Sequence, residues 1–309
     1  MKTTINTNKS IIPPFLQKGD SVEIVAPAKF ISKSEVDVSV KILESWGLSV
    51  KLKSEVFNKH NVFSGTILER KTLLQEALDD INTRAVFFAR GGYGTIHVLD
   101  QVDFTTFKKH PKWLIGFSDI TILLSHIQCL YNIASIHGPM IYNFSNTDSN
   151  NIVSLFELLS GDKVIITAPT FFKNRLGVTT GKLIGGNLSI LCSLLGSESL
   201  RFEGADFILF IEDVDEYLYH IERMFYTLDR AGLLKNIKGL IIGEMTELKD
   251  NDDSFGKTFE EIIFDIVKKY NYPVCFNFPI GHGSQNHPVI IGADITLEVK
   301  SDFVKMNYL

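Results

Sequence analysis

Strand-like and helix-like segments alternate along the first half of this 309-residue chain. Short apolar segments typical of buried strands, such as SVEIVAP, RAVFFA and KWLIGFS, are separated by segments with helical periodicity, such as SEVDVSVKILESWG and DITILLSHIQCLYN. Strands joined by helices of this length favour a largely parallel sheet that is covered on both faces. The alternation therefore predicts an α/β fold.

A polar stretch, SNTDSNN, interrupts this alternation and is followed by TAPTFFKNRLGV, a segment that we expect to be irregular or extended. Further strands are predicted beyond it, among them DFILFIED, IKGLIIGEM, PVCFNFPIGH and PVIIGADITLEVK. We therefore predict an N-terminal α/β domain over residues 1–150, a linker over 151–175 and a C-terminal domain over 176–309.

Charge and composition exclude several classes of function. The formal net charge is −5 and the sequence has no basic stripe, so we expect no nucleic-acid partner. The first residues, MKTTINTNKSIIPPFLQKGD, lack a signal-peptide core, and no apolar run approaches the roughly 20 residues that span a bilayer. The three cysteines are far apart without CxxC spacing, which argues against disulfides and a zinc site. We expect a cytoplasmic protein without a metal, a cofactor or a membrane partner.

Four apolar strands are followed directly by residues suited to catalysis or binding. They are VFFARGGYG, LIGFSD, FILFIED and FNFPIGHG, which supply a glycine-rich turn, Ser118, Glu212 and His282. Open parallel α/β sheets bind ligands outside the carboxyl ends of their strands. A serine, a histidine and a carboxylate are the parts of an acyl-transfer triad, in which the histidine accepts the serine proton and the carboxylate orients the imidazole.

Each member of this trio has an alternative interpretation. Ser118 at a strand-to-helix junction also suits a helix N-cap, and the protein would then be a ligand-binding module rather than an enzyme. Spacing does not choose the acid within EDVDE, where Glu212 competes with Asp213, Asp215 and Glu216. Four further histidines compete with His282: His126, His137, His220 and His287.

The turn Arg90-Gly91-Gly92-Tyr93-Gly94 is suited to hold an anion, because glycines permit positive φ and close approach of backbone N–H groups. The anion could be a phosphate or an oxyanion. The turn lacks both the G-x-G-x-x-G order and a Walker lysine, so a nucleotide site is weakly indicated. GFSD lacks the second glycine of the G-x-S-x-G elbow, which disfavours a standard α/β-hydrolase.

These motifs, taken in order, resemble the LD-carboxypeptidase family of serine peptidases, or muramoyltetrapeptide carboxypeptidases, which also includes the microcin C self-immunity peptidases. The resemblance covers nearly the whole chain. It is carried by PPFLQKGDSVEIVAPA, ARGGYGT, LIGFSDIT and HGPM in the first half, and by GKLIGGNLSIL, FILFIEDVDE, IERMFYTL, IKGLIIGEM and FNFPIGHG in the second. It implies a flavodoxin-like N-terminal domain with a mostly parallel sheet and a smaller, β-rich, swivelling α/β C-terminal domain.

The resemblance also implies roles for individual residues. The family's catalytic serine, glutamate and histidine fall on Ser118, Glu212 and His282. Its oxyanion hole would use the backbone N–H groups of Asp119 and Gly92, with Gly91 as the alternative to Gly92. One departure is APAKF, where relatives often have a serine after the proline; it puts in doubt a substrate contact at that position.

The activity implied by the resemblance is removal of the terminal D-alanine from a cytoplasmic murein tetrapeptide during peptidoglycan recycling, without a metal, by a homodimer. Arg90 and Gly91 are candidates for binding the substrate, with a structural ion pair as the alternative for Arg90. Hydrolysis of a peptidyl-nucleotide is the competing function within the family. The sequence does not distinguish diaminopimelate from lysine at the penultimate position of the substrate.

Overall fold

The computed structural model describes residues 9–201 and 206–309. The beginning of the predicted N-terminal domain, 1–8, and the segment 202–205 lie outside the described residues. Among the described residues no helix is both long enough and apolar enough to cross a membrane.

The first half of the chain alternates strands with helices, as predicted. Its elements are β1 (Ser21–Val25), α1 (Asp37–Ser45), β2 (Ser49–Lys51), α2 (Ile67–Asp79), β3 (Thr83–Phe88), α3 (Ile96–Leu99), α4 (Thr105–Lys109), β4 (Trp113–Gly116), α5 (Thr121–Tyr131), β5 (Ser135–His137) and α6 (Ser149–Ser160). Short 3-10 helices cover Lys33–Glu35, Ser54–Phe57, Ser118–Ile120 and Ile141–Asn143.

The second half contributes more strand than helix. Its elements are β6 (Ile165–Pro169), β7 (Gly177–Asn187), α7 (Leu188–Leu194), β8 (Phe207–Val214), α8 (Leu218–Arg230), β9 (Ile237–Thr246), α9 (Phe259–Val267), β10 (Val274–Cys275), β11 (Val289–Ile291), β12 (Asp294–Val299) and β13 (Phe303–Tyr308).

Local sequence signals account for several helix ends. Thr66 begins α2 with a capping box, since its hydroxyl accepts the Glu69 N–H and the Glu69 carboxylate accepts the Thr66 N–H. Thr258 and Glu261 make the same pair of bonds at α9. Asn132 ends α5 in the left-handed conformation at φ 52°, which asparagine tolerates better than most residues.

The described residues form two sheets. The first has the order β2-β1-β3-β4-β5-β11, in which only β11 is antiparallel to its neighbour. The order 2-1-3-4-5 is that of flavodoxin-like folds. The second has the order β10-β9-β8-β7-β12-β13-β6, with its first four strands parallel and the rest antiparallel. The predicted fold class is confirmed.

Two strands pair with distant parts of the chain. The segment 151–175, predicted as a linker, contains most of α6 and the whole of β6, which pairs with β13. In the other direction, β11 comes from the second half and completes the edge of the first sheet. One apolar core joins both sheets, with Trp113 of β4 and Phe210 of β8 among its members. The three-part division of the chain stays a prediction.

Candidate active site

Ser118 lies two residues after the end of β4, at the first residue of a 3-10 helix, with φ at 60°. A left-handed conformation is uncommon for serine, and such strain is typical of functional sites. No side chain caps this 3-10 helix or the following helix α5. The interpretation of Ser118 as a helix N-cap is therefore wrong.

Gly91, in the turn after β3, lies beside Ser118. A Cβ at position 91 would be only 3.1 Å from Ser118 Cβ and 3.2 Å from Ser118 Oγ, so glycine is needed for this close approach. The next residue, Gly92, has φ at 102°, and the Lys29 side chain lies over its Cα. Among the described residues the Gly92 N–H has no hydrogen-bond acceptor. The glycine turn and the serine therefore meet at the carboxyl ends of neighbouring strands.

Asp119 fastens the serine segment to the glycine turn. Its buried carboxylate accepts a 2.9 Å hydrogen bond from the Thr95 N–H, and Arg70 donates a 2.8 Å bond to the carbonyl of Gly94. Burial raises the pKa of Asp119, against the opposing effects of the Thr95 bonds and the Arg70 charge. The side chain thus holds the backbone whose N–H is predicted to face the substrate.

Arg90 makes contacts within the protein. Its guanidinium lies 3.7 Å from the Glu35 carboxylate and stacks over the Tyr142 ring at 4.2 Å. About a third of its side chain is exposed (32%), so the group keeps access to solvent beside the glycine turn. The ion pair expected as the alternative is present, and substrate binding by Arg90 stays a prediction.

Glu212 of β8 and His282 form a tightly coupled pair. His282 Nδ1 lies 2.6 Å from Glu212 Oε2, and the glutamate side chain is fully buried. Burial opposes charge on both groups, yet the charge and hydrogen bond of each partner outweigh it. The pKa of His282 is consequently raised and that of Glu212 lowered. The His282 ring lies 4.7 Å from that of Phe117, the residue before Ser118, so the pair faces the serine segment.

The other acids of EDVDE have different partners. Asp213 accepts hydrogen bonds from Asn187 Nδ2 and the Ser189 N–H, each at 2.8 Å, and burial raises its pKa to about 6. Glu216 bonds His220 Nδ1 at 2.5 Å, and Asp215 forms an ion pair with Lys249. Of the four acids, Glu212 is the one bonded to His282.

Among the competing histidines, His137 lies nearest the pair. Its ring packs against Phe117 and Phe210 at 5.7 and 5.0 Å, is fully buried, and has no hydrogen-bond partner among the described residues. Burial lowers its pKa to about 4. His126 bonds Ser199, and burial lowers the pKa of His287. His220 pairs with Glu216 and leaves 40% of its side chain exposed. His282 is the histidine that is bonded to the buried Glu212 and also packs against Phe117, the residue before Ser118, with 16% of its side chain exposed.

Two contacts near the pair were missed in the sequence. Glu244 of β9 accepts a 2.8 Å hydrogen bond from the Gly283 N–H, next to His282. Thr121 Oγ1 accepts the N–H of Asn187, which joins the start of α5 to the end of β7. Glu244 follows the apolar run IKGLIIG, so the search for polar residues after apolar strands, which brought out the acids of FILFIED, would also have found it. In the part of the chain that the structure describes, no three His, Cys, Asp or Glu side chains group as metal ligands.

A serine held on a left-handed turn, in a segment that packs against a histidine with a buried carboxylate partner, has the parts of a serine peptidase. The chain belongs to the LD-carboxypeptidase family: the family's N-terminal domain matches residues 22–138 and its C-terminal domain matches 180–297. It is therefore a hydrolase of a serine peptidase family, as predicted.

Relatives match over most of both chains. A probable murein peptide carboxypeptidase of Bacillus subtilis is 32% identical, covering 91% of this chain and 89% of that one. The murein tetrapeptide carboxypeptidase of Pseudomonas aeruginosa is 27% identical, covering 90% and 92%.

Solved structures share the fold. The muramoyltetrapeptide carboxypeptidase of Oxalobacter formigenes superimposes with a TM-score of 0.85 at 26% identity, covering 93% of this chain and 98% of that one. The microcin C7 self-immunity protein MccF also gives a TM-score of 0.85, at 19% identity and with 96% and 98% covered, which shows the fold alone.

Proposed function

We propose that this protein is a metal-independent serine LD-carboxypeptidase that removes the terminal D-alanine from murein tetrapeptides in the cytoplasm, in peptidoglycan recycling. The observation that carries the proposal is the 2.6 Å bond between His282 and the buried Glu212, on a ring that packs against the residue before Ser118. The resemblance further implies a homodimer.

In the proposed reaction, Ser118 Oγ attacks the carbonyl carbon of the penultimate residue while His282 accepts its proton. Glu212 keeps the imidazole in the tautomer with its proton on Nδ1 and stabilises the imidazolium. The C–N bond to D-alanine then breaks, and His282 returns the proton to the leaving amine. Water hydrolyses the acyl-enzyme in a second round of the same steps.

The negative charge on the tetrahedral intermediate would be bound by the N–H groups of Gly92 and Asp119. The N–H of Gly92, which has no acceptor in the described part of the chain, is available for this purpose. Loss of one such donor typically lowers turnover by about 10²–10³-fold. Arg90 and Gly91 remain the proposed contacts for the substrate, with the arginine suited to its free carboxylate.

The names of the relatives support a murein peptide over a peptidyl-nucleotide. The two relatives named for murein peptides are 27% and 32% identical, whereas the match to MccF is 19% identical. Separate assays on three compounds test which substrate class is cleaved. The enzyme is incubated with L-Ala-D-Glu-mDAP-D-Ala, with the same peptide ending in L-alanine, and with aspartyl sulfamoyl adenosine. We expect alanine release from the first peptide alone. Cleavage of the nucleotide conjugate with no release of D-alanine would overturn the proposal.

A further inference from the structure

The segment that carries His282 is fastened to β9 on both sides of the histidine by one residue, Glu244. The Glu244 N–H donates a 2.8 Å bond to the carbonyl of Ile280, and Glu244 Oε2 accepts a 2.8 Å bond from the Gly283 N–H. Backbone and side chain of a single residue thus bracket the histidine.

Glycine at position 283 is required by this contact. A Cβ there would overlap the Glu244 carboxylate, so any other residue would displace one or the other. A second bond, from the Gly281 N–H to Asn286 Oδ1 at 3.2 Å, closes the loop on its far side. Since β10 ends at Cys275, the His282 loop is held by single backbone and side-chain hydrogen bonds rather than by regular strand pairing.

Charge adds to this geometry. The groups that act on the His282 ring are Glu212 and Asp213 on β8, Glu244 on β9 and, from β5, His137. All three carboxylates favour the imidazolium and together outweigh burial of the ring, so the pKa of His282 is raised. Burial, helped by the Glu212 charge, raises the pKa of Glu244 itself, while the Gly283 bond opposes this.

We propose that Glu244 is a positioning residue for the histidine of the site: it clamps the 280–283 loop to β9 through two hydrogen bonds, and its charge stabilises the protonated ring. This inference rests on the proposed role of His282 as the general base. Glu244 reaches the reaction through the histidine and not through the substrate.

Two variants separate the clamp from the charge. Glu244→Gln keeps an oxygen that can accept the Gly283 N–H but removes the charge. Glu244→Ala removes the accepting oxygen as well as the charge. Glu247→Gln serves as the control, because Glu247 is an exposed carboxylate on the segment that follows the same strand. The His282 ring is followed by NMR of ¹⁵N-histidine-labelled protein across pH, with its signal assigned by His282→Asn.

We expect Glu244→Gln to titrate His282 at lower pH than wild type, since a negative charge beside the imidazolium is lost. The acid limb of kcat/KM should move to lower pH with it, while kcat stays within a few-fold. Glu244→Ala should lose about 10–100-fold in kcat, the typical effect of a misplaced catalytic group. Should Glu244→Ala fail to fold, Gly283→Ala displaces the carboxylate by another route, and the same loss is expected.

An unchanged His282 titration in Glu244→Gln would overturn the inference. So would wild-type kcat in folded Glu244→Ala or, where that variant does not fold, in Gly283→Ala. The titration needs no substrate. If wild type released no D-alanine and His282 still titrated at lower pH in Glu244→Gln, the proposed function would fail and the coupling of the two residues would stand.

Discussion

His282 Nδ1 lies 2.6 Å from an oxygen of Glu212, a carboxylate with no exposed surface. A buried carboxylate is costly unless it is paired, and here the pairing group is a histidine at the mouth of the site. Strand β8, FILFIEDV, accordingly buries Glu212 and Asp213, whereas Asp215 just beyond its end is exposed.

Glu212→Gln should lower kcat by about 10³–10⁴-fold, because an amide can donate to Nδ1 and stabilise the wrong imidazole tautomer. Asp215→Asn is the matched control in the same EDVDE segment, and we expect it to stay within a few-fold of wild type. Steady-state kinetics on the tetrapeptide measure both. For wild type, kcat/KM should rise with pH as His282 loses its proton, at a pH above the ordinary histidine value, since its pKa is raised. A Glu212→Gln enzyme with more than a tenth of wild-type kcat would contradict this role.

Gly91→Ala should reduce turnover by about 10²-fold or more while the protein stays folded. The added methyl group would be 3.1–3.2 Å from Ser118 and Met140, and we expect it to displace the Ser118 side chain from the position needed for attack. Circular dichroism and denaturant unfolding verify the fold, and kcat measures the effect. Full activity in Gly91→Ala would show that Ser118 does not depend on this approach.

Asp119→Ala should lower the free energy of unfolding by about 1–3 kcal/mol, because the buried Thr95 N–H loses its acceptor. Asp119→Asn retains an oxygen at this place and should lose less. Urea unfolding followed by tryptophan fluorescence measures both variants. Equal stability of wild type and Asp119→Ala would mean that the carboxylate does not hold the glycine turn.

Local hydrophobic periodicity predicted most of the strands and helices, whereas strand pairing between distant segments was not predicted. Strand and helix alternation predicted the largely parallel sheet, because apolar strands and amphipathic helices differ in period over many residues; the family resemblance implied its flavodoxin-like order. PVCFNFPIGH was predicted as a strand, yet only Val274–Cys275 pairs. Asn277, at φ 57°, turns the chain out of the sheet there.

Pairing between distant segments was harder to predict. PVIIGADITLEVK gave no sign that Val289–Ile291 joins the first sheet while Asp294–Val299 joins the second. In the same way, local patterns could not choose Glu212 within EDVDE, since the choice depends on which carboxylate meets His282 from a segment 70 residues away. The family resemblance supplied that choice.

Acid should destabilise the protein partly through His137. Burial lowers the pKa of His137 from the ordinary histidine value of 6.5 to about 4, so the folded state resists a proton that the unfolded chain accepts. The contribution is present above pH 6.5 and is lost as pH falls toward 4, by about 3 kcal/mol at most. Unfolding free energies at pH 4.5 and 7 should therefore differ less in His137→Gln than in wild type. The exposed His60→Gln is the control, and an equal loss in all three proteins would exclude His137 as the cause.

D-alanine release from L-Ala-D-Glu-mDAP-D-Ala in the presence of EDTA, with wild type and Ser118→Ala assayed side by side, shows whether Ser118 is the nucleophile. This role of Ser118 predicts release by wild type and a loss of at least about 10³-fold in the folded variant. Equal release by both proteins would contradict it, because Ser118 would then be a residue of the turn and not the nucleophile.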